Sequence, residues 1–246
     1  MPRKTARLII AAGLVLLACH SARAEVLDKV KNEGGVLVHY KLILPNGYNP
    51  AKAYPAVLAF PGGPQTMGVV EGTVERNWRP QAEQRGYIVV VPAAPDGELF
   101  FEEGARVFPK FITDLLGDFK VDGGKFHIAG MSNGGLSAFY IASLYPQYFL
   151  SVTGFPGLLN DATAAKLKAL SGMCVNMHVG ELDPEWLSAM KQQSEQLRAL
   201  GDQVRFTIEP KQPHRLESLA GDGSARLFNQ FDEARHGCPT SSREAK

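Results

Sequence analysis

Short, fully apolar runs recur along the chain between segments with helical spacing. Two of them are Ala56–Phe60, which ends at Pro61, and residues 87–91, which follow Gly86. A strand that is apolar at every position has to be covered on both faces, as happens in parallel sheets flanked by helices. The repeated alternation of such strands with helices predicts an α/β fold with a doubly wound, mostly parallel sheet and helices on both faces.

The predicted elements follow from apolar periodicity and from turn residues. Strands are predicted at residues 36–44, 56–60, 87–91, 126–129, 149–153, 174–179 and 204–208. Helices are predicted at residues 74–85, 105–119, 136–144, 162–170, 185–200 and 216–235. No internal repeat or low-complexity linker divides the chain, so one domain is expected.

The first 24 residues have the form of a secretory signal peptide. Basic residues precede an apolar run over residues 8–18, and small residues occupy positions 22 and 24. The run is shorter than the roughly 20 residues that span a bilayer, so cleavage after Ala24 and export are expected. The resulting expectation is a signal peptide at residues 1–24 and a single domain at residues 25–246. In the alternative, residues 16–19 act as a bacterial lipobox, and Cys19 carries a lipid anchor.

The charge of the mature chain argues against two classes of partner. Loss of four basic residues with the signal peptide would change the formal charge from +1 to −3. A nucleic acid or an anionic membrane surface calls for a clustered basic excess, which this chain lacks. Neither partner is expected, nor is an integral membrane span, and nothing in the sequence indicates the oligomeric state.

A serine stands between a predicted strand and a predicted helix, in Gly-Met-Ser-Asn-Gly at residues 130–134. A sharp strand-to-helix turn strains the backbone of its central residue, and only glycine at the flanking positions avoids a collision. Such a turn exposes the hydroxyl beside the amides of the helix N-terminus. Ser132 is therefore the candidate nucleophile of a serine hydrolase.

A serine nucleophile needs a base, usually a histidine, which a carboxylate orients. In α/β-hydrolases these residues follow in the order serine, acid, histidine. His214 comes directly after the last predicted strand and is the preferred base, while His236, at the end of the closing helix, is the alternative. Histidines 39 and 127 precede the serine, and the position of His178 within a strand favours a structural role.

Asp183 is the preferred acid, because it follows the strand at residues 174–179 within a short turn. Glu181 and Asp161 are its competitors, and a helix-capping role is the favoured interpretation for Asp161.

For the oxyanion hole, the sequence offers the amide of Asn133 and those of Gly62 and Gly63, which follow an early strand. Phe100, Phe101 and Trp186 either line an aromatic subsite or are ordinary packing residues. No cluster of His, Cys and carboxylates has metal-ligand spacing, so no metal site is expected.

The chain resembles the secreted polyhydroxybutyrate-depolymerase-like and feruloyl-esterase-like group of α/β-hydrolases. The resemblance runs over about residues 38–214 and is most specific at residues 121–135, Val-Asp-Gly-Gly-Lys-Phe-His-Ile-Ala-Gly-Met-Ser-Asn-Gly-Gly. It implies a lidless single-domain esterase that acts through an acyl-enzyme, without metal or organic cofactor. No long insertion separates Phe149 from Asp183, so an open, shallow site is expected, and such a site would suit bulky or polymeric esters. One departure is Pro61-Gly62, where members of the group commonly have His-Gly.

Two other functions remain open. A serine peptidase of the prolyl-oligopeptidase type would use the same turn and residue order, although about 12 mature residues before the first predicted strand are too few for the usual propeller. A hydrolase fold retained only for binding is the second, and the presence of all three candidate residues argues against it.

Two cysteines remain after cleavage at Ala24, and an exported chain meets an oxidising compartment. Cys174 begins a strand and Cys238 follows the closing helix, so both are expected at the sheet edge opposite Ser132. The sequence predicts a disulfide between them, which leaves two separate thiols as the alternative.

Overall fold

A computed structural model describes residues 25–238 of the chain, so the proposed signal peptide and Cys19 lie outside the described residues. Its strands are β1 (Glu25–Glu33), β2 (Val36–Leu44), β3 (Ala56–Phe60), β4 (Ile88–Pro92), β5 (Phe126–Gly130), β6 (Phe149–Gly154), β7 (Cys174–Gly180) and β8 (Val204–Glu209). They form one sheet in the order β1-β2-β4-β3-β5-β6-β7-β8.

The six strands from β4 to β8 in this order are parallel to one another. Strand β1 pairs with β2 in the antiparallel direction, and β2 is also antiparallel to β4. All six parallel strands therefore end at one edge of the sheet, which we call the carboxyl edge. This arrangement confirms the predicted α/β-hydrolase fold with a mostly parallel, doubly wound sheet.

Helices cover both faces of the sheet. They are α1 (Met67–Thr73), α2 (Arg79–Arg85), α3 (Lys110–Asp118), α4 (Asn133–Leu144), α5 (Ala164–Ala169), α6 (Pro184–Ala199) and α7 (Ala225–Arg235). On one face, buried side chains of α1, α2 and α7 pack against the sheet. On the other face, α3, α4, α5 and α6 do so. Residues 155–173, between β6 and β7, contain only α5 and no cap domain.

Strand β1 is absent from the sequence-based assignment, which left the residues after Ala24 as a lead-in. It pairs with β2 over nine residues, from Glu25 opposite Leu44 to Glu33 opposite Val36. Most of its side chains are at least partly exposed and several are charged, so its sequence lacks the apolar alternation of a strand that covers a core. Backbone pairing at the edge of the sheet holds it instead.

The closing helix is shorter than the sequence indicated. Residues 216–224 form two 3₁₀ turns, Glu217–Leu219 and Gly221–Ser224, before α7 begins at Ala225. Gly221 has a φ of +53°, and a Cβ on Gly223 would lie 2.2 Å from the carbonyl oxygen of Ser218. The predicted helix start at residue 216 is therefore wrong.

Two other predicted helices are each interrupted in the structure. The helix placed at 74–85 starts earlier, as α1, and passes through a π-helical turn, Val74–Trp78, into α2. Residues 105–119 divide at Pro109 into a 3₁₀ turn, Glu103–Val107, and α3. In each case a proline or a glycine-containing first turn obscured the true start.

Cys174 and Cys238 form a disulfide, with their Cα atoms 5.1 Å apart. The bridge joins the first residue of β7 to the segment after α7, which confirms the predicted pairing. Both cysteines lie at the edge of the sheet opposite the carboxyl edge. Within residues 25–238, no helix has both the length and the apolar character needed to cross a bilayer.

Candidate active site

Ser132 occupies a sharp turn between β5 and α4. Its φ of 56° and ψ of −122° lie outside the regions that non-glycine residues ordinarily adopt. A Cβ on Gly130 would lie 2.1 Å from the carbonyl oxygen of Gly134, and one on Gly134 would lie 2.2 Å from that of Phe60. Glycine is therefore required on both sides of the serine. The backbone N–H of Ser132 donates to the carbonyl oxygen of Pro156 at 2.7 Å, which fixes the turn against the segment after β6.

The structure brings Ser132, His214 and Asp183 together at the carboxyl edge. Nε2 of His214 lies 2.8 Å from Oγ of Ser132, and its Nδ1 lies 2.6 Å from Oδ2 of Asp183. The carboxylate is mostly buried, with 12% of its side chain exposed, whereas 41% of the histidine side chain is exposed. An N–H at Nδ1 that donates to the carboxylate leaves the lone pair of Nε2 directed at the hydroxyl.

The loops that carry the acid and the histidine contact each other through their backbones. A Cβ on Gly180, the last residue of β7, would lie 2.3 Å from the carbonyl oxygens of both Gln212 and Pro213. The N–H of Leu182 donates to the carbonyl oxygen of Gln212 at 2.9 Å. These backbone contacts set the distance between Asp183 and His214 independently of the hydrogen bond between their side chains.

The competing carboxylates have other partners. Glu181 accepts a hydrogen bond from the backbone N–H of Lys211 at 2.7 Å, and Asp161 pairs with Nζ of Lys166. The helix-capping role expected for Asp161 is wrong, because the side chain of Thr163 caps α5 instead. Asp183 stands at the N-cap position of α6 but makes no side-chain capping bond there.

The remaining histidines differ from His214 in their surroundings. His127 is buried in β5 beside Phe231, and burial lowers its pKa to about 3, so it stays neutral. Both ring nitrogens of the buried His178 are hydrogen-bonded, to Glu209 and Gln230. His236 follows the last residue of α7, which matches the placement at a helix end inferred from the sequence.

The glycine loop after β3 lies against the turn that carries the serine. A Cβ on Gly62 would lie 3.0 Å from the carbonyl oxygen of Met131 and 3.6 Å from Cβ of Ser132. The side-chain amide of Asn133 donates to the carbonyl oxygen of Gly63 at 2.9 Å. The structure therefore places Gly62 next to the turn that carries Ser132 and joins Gly63 to the side chain of Asn133.

The three candidate aromatic residues have different environments. Phe100 is fully buried, with its ring centroid 5.0 Å from that of Phe60, so it is a packing residue. Phe101 is partly exposed in the same loop. Trp186, in the first turn of α6, approaches His214 edge-on, with the ring centroids 5.1 Å apart. Of the three, Trp186 is the one that contacts the histidine of the site.

A network of hydrogen bonds and an ion pair surrounds the buried carboxylate of Glu209, at the base of the loop that carries His214, and sequence reasoning did not find it. Glu209, the last residue of β8, accepts hydrogen bonds from Ser218 and from two nitrogens of Arg226, and it contacts His178. Burial alone would raise the pKa of this carboxyl, but the hydrogen bonds from His178 and Arg226 outweigh it and lower the pKa to about 2.

Gln65 is the second residue that sequence reasoning missed. It follows the glycine loop, is completely buried and has a φ of +52°. A polar residue after a turn ordinarily indicates exposure, so only the tertiary structure reveals its position.

Within residues 25–238, no group of three or more His, Cys, Asp or Glu side chains is placed to hold a metal ion.

Similar proteins are found among both sequences and solved structures. Dipeptidyl-peptidase 5 of Porphyromonas gingivalis is 29% identical over 159 residues, which cover 60% of this chain, and the chain spans only 22% of that relative's length. A ferulic acid esterase structure superposes with a TM-score of 0.64 and 15% identity, over 88% of this chain and 99% of that one.

An S-formylglutathione hydrolase from Agrobacterium tumefaciens superposes equally well. Its TM-score is 0.64 at 16% identity, over 84% of this chain and 94% of that one. At such identities the two structures support the fold alone. The Esterase family, in contrast, matches residues 35–209, which include Ser132 and Asp183. The chain therefore belongs to the Esterase family, a family of hydrolases built on the α/β-hydrolase fold.

Proposed function

We propose that this protein hydrolyses carboxylic esters through an acyl-enzyme, with Ser132 as nucleophile, His214 as general base and Asp183 as the carboxylate that orients the histidine. The observation that carries the proposal is the 2.8 Å contact between Nε2 of His214 and Oγ of Ser132, at a strained turn where the serine is partly exposed. Membership of the Esterase family supports the ester as the substrate class.

In the first half of the reaction, Oγ of Ser132 attacks the carbonyl carbon of the ester while Nε2 of His214 takes the hydroxyl proton. The carbonyl electron pair moves onto its oxygen and forms a tetrahedral oxyanion. When this collapses, the bond between the carbonyl carbon and the alcohol oxygen breaks. His214 returns its proton to the leaving alkoxide, so that an alcohol departs and an acyl group stays on Ser132.

In the second half, a water molecule attacks the acyl carbon and gives a proton to Nε2 of His214. The tetrahedral intermediate then collapses, the bond to Oγ breaks, and the histidine protonates the serine. The Asp183 carboxylate stabilises the imidazolium in both halves. Its hydrogen bond to Nδ1 also keeps the neutral ring in the tautomer that presents a lone pair to Ser132.

The oxyanion of both intermediates is assigned to the backbone N–H groups of Asn133 and of the Gly62-Gly63 loop. The first lies at the N-terminus of α4, where the helix dipole favours negative charge. The second is supported by the close approach of Gly62 to Ser132, at 3.6 Å from a virtual Cβ to the serine Cβ. The Pro61 that replaces the usual histidine does not keep the loop away from the nucleophile.

We also infer that the substrate is a bulky or polymeric ester and that the protein is exported, with residues 1–24 removed as a signal peptide. The short connection between β6 and β7 leaves the carboxyl edge without a cap from that segment, which suits a large substrate. The Cys174–Cys238 disulfide suits an oxidising compartment. A lipid anchor at Cys19 remains the alternative form of export.

The test is hydrolysis of short aliphatic, aryl and feruloyl esters by the purified protein and by Ser132→Ala. We expect the variant to lose at least about 10³-fold in kcat, because only the attacking oxygen is removed. Ser143→Ala, which deletes a buried hydroxyl at the other end of α4, is the matched control and should keep its turnover. Near-normal turnover in Ser132→Ala contradicts the proposal.

A peptidase is the second candidate, because the dipeptidyl-peptidase of Porphyromonas gingivalis is 29% identical over the aligned segment. The same three residues would then cleave an amide through the same acyl-enzyme. Dipeptide anilides and aryl esters with matched leaving groups separate the two activities. We expect the ester to have the much larger kcat/KM, and the reverse order would favour the peptidase. A fold that only binds its ligand would hydrolyse neither substrate.

A further inference from the structure

Gln65 connects the glycine loop to two other segments of the carboxyl edge, the start of α4 and the loop after β4. Its side-chain Nε2 donates to the carbonyl oxygen of Pro61 at 3.1 Å and to Oγ of Ser137 at 2.9 Å. Its Oε1 accepts from the backbone N–H of Phe100 at 3.2 Å. Both ends of the amide are thus used, in a site with no exposed surface.

The backbone of Gln65 makes two further hydrogen bonds. Its N–H donates to the carbonyl oxygen of Gly62 at 3.3 Å, and its carbonyl oxygen accepts from the N–H of Ala94 at 2.9 Å. The first bond closes a tight turn over Gly63. The second joins this turn to the loop that follows β4. Gln65 therefore closes the turn of the glycine loop and also joins that loop to the loop after β4.

The contact with Ser137 extends to the turn that carries the nucleophile. Oγ of Ser137 donates to the carbonyl oxygen of Asn133 at 2.8 Å, in the first turn of α4. The Gln65 amide is therefore linked by one hydroxyl to the residue that directly follows Ser132. The two segments that supply the proposed oxyanion donors, the glycine loop and the start of α4, meet through this side chain.

The backbone conformation of Gln65 argues for a specific requirement at this position. Its φ of +52° falls in the left-handed region, where glycine and asparagine are the usual residues. Glycine could not make the three side-chain bonds, and asparagine is one methylene shorter. A residue keeps such a backbone conformation where its surroundings determine it, and here the three side-chain hydrogen bonds do so.

We propose that Gln65 is a positioning residue that holds the Gly62-Gly63 amides at the distance and direction needed by the oxyanion near Ser132. This inference rests on the proposed function. It differs from a purely structural role, because the loop has to be placed more accurately for the transition state than for folding. Loss of the Gln65 amide should therefore weaken the tetrahedral state and leave ground-state ester binding nearly unchanged.

The experiment compares Gln65→Met, which keeps the length of the side chain and removes its hydrogen bonds, with the wild-type protein. Measured quantities are kcat and KM for an aryl ester and the inhibition constant of an aryl trifluoromethyl ketone, whose serine adduct mimics the oxyanion. We expect kcat to fall by roughly 30-fold and the inhibition constant to rise by about the same factor, with KM changed less than about 3-fold.

Gln193→Met is the matched control. Gln193 is also a buried glutamine whose amide makes two backbone hydrogen bonds, both to Leu159 and both at 2.8 Å. This control should lose thermal stability as Gln65→Met does, while its kcat and inhibition constant stay within about 2-fold of the wild-type values. Equal effects of the two substitutions on all three constants would overturn the positioning role.

Ser137→Ala keeps the test decisive if Gln65→Met does not fold. It removes one of the three bonds to the amide, so an intermediate loss of kcat of about 3- to 10-fold is expected, with a parallel loss of ketone affinity. Unchanged values in Ser137→Ala and in a folded Gln65→Asn would overturn the inference. Failure of the proposed function itself shows in the wild-type protein, which would then neither hydrolyse the ester nor bind the ketone.

Discussion

At the scale of single residues, Ser132 is held in a conformation that its own side chain disfavours. Backbone angles of this kind cost about 1–3 kcal/mol and persist where the surroundings fix them. Here the bond to Pro156 and the close contacts around Gly130 and Gly134 do so. The sequence was sufficient to predict this turn, because glycines on both sides of a serine between a strand and a helix have few other uses.

The histidine assignment predicts a large difference between two substitutions. His214→Ala should lose roughly 10³-fold or more in kcat, since Ser132 then has no base. His236→Ala should keep nearly all of its turnover, because that residue lies beyond the end of α7. Steady-state kinetics on one aryl ester give both values. A more severe effect at residue 236 would show that the base is assigned to the wrong histidine.

The carboxylate assignment predicts a ranking among three amide substitutions. Asp183→Asn should lower kcat by about 10³- to 10⁴-fold, because an amide no longer selects the correct tautomer of His214 or stabilises its cation. Glu181→Gln and Asp161→Asn are the matched controls, and each should cost less than about 5-fold. The assignment fails if Asp161→Asn proves the most damaging of the three.

At the scale of elements, all of the proposed functional residues lie at the carboxyl edge of the sheet. Ser132 and His214 are separated by 82 residues in the chain, yet both follow parallel strands and so meet at one edge. That much was predictable, because the carboxyl ends of parallel strands lie at one edge of a sheet. The placement of Gln65 was not, because its partners Ala94 and Phe100 belong to a loop without periodicity. The 3₁₀ turns after His214 were missed because the closing helix was predicted to begin at residue 216, ahead of Gly221 and Gly223.

The hydrogen bonds of Glu209 predict how the free energy of unfolding changes at acidic pH. The folded-state pKa of Glu209, about 2, lies below the ordinary value of 4.5, so its ionised form stabilises the fold. This stabilisation is fully present above pH 4.5 and is lost as the pH falls towards 2. Glu209→Gln should therefore lower the free energy of unfolding by about 2–3 kcal/mol at neutral pH.

Urea unfolding of the wild-type protein and of Glu209→Gln across this pH range measures the effect. The difference between the two should shrink steadily between pH 4.5 and pH 2, where the protonated glutamate resembles the amide. Glu195→Gln, at an exposed position on α6, is the control and should give a small difference that does not change in this way. A constant difference for Glu209→Gln would mean that the network does not titrate as described.

At the scale of the whole molecule, the sheet lies between two layers of helices. The proposed functional residues lie at its carboxyl edge, whereas the Cys174–Cys238 disulfide lies at the opposite edge. The fold class could be predicted because two strands of the parallel part of the sheet, β3 and β4, are apolar at every position. The exposed, charged strand β1 could not, since it is held by backbone pairing with β2 and not by burial. The disulfide was predictable from the direction of the last helix, which runs back to the opposite edge.

Because the disulfide lies at the edge opposite the proposed functional residues, its reduction should lower the stability of the fold and leave the activity nearly unchanged. The bridge spans 64 residues, which corresponds to about 4 kcal/mol in the chain-entropy description. For a domain of this size, loss of that amount should lower Tm by roughly 8–16 °C while kcat at 25 °C stays nearly unchanged. Thermal unfolding with and without reductant tests this, and Cys238→Ala should unfold at the reduced value under both conditions. An unchanged Tm would show that the bridge contributes nothing.

The central claim is that Ser132 is the nucleophile of an acyl-enzyme. The most direct measurement is the mass of the protein and of its peptides after reaction with a fluorophosphonate, which forms a stable adduct with an activated serine. We expect one adduct per chain, located on Ser132, absent from Ser132→Ala and formed far more slowly by His214→Ala. An active esterase that forms no adduct, or that carries it on another residue, would contradict the account.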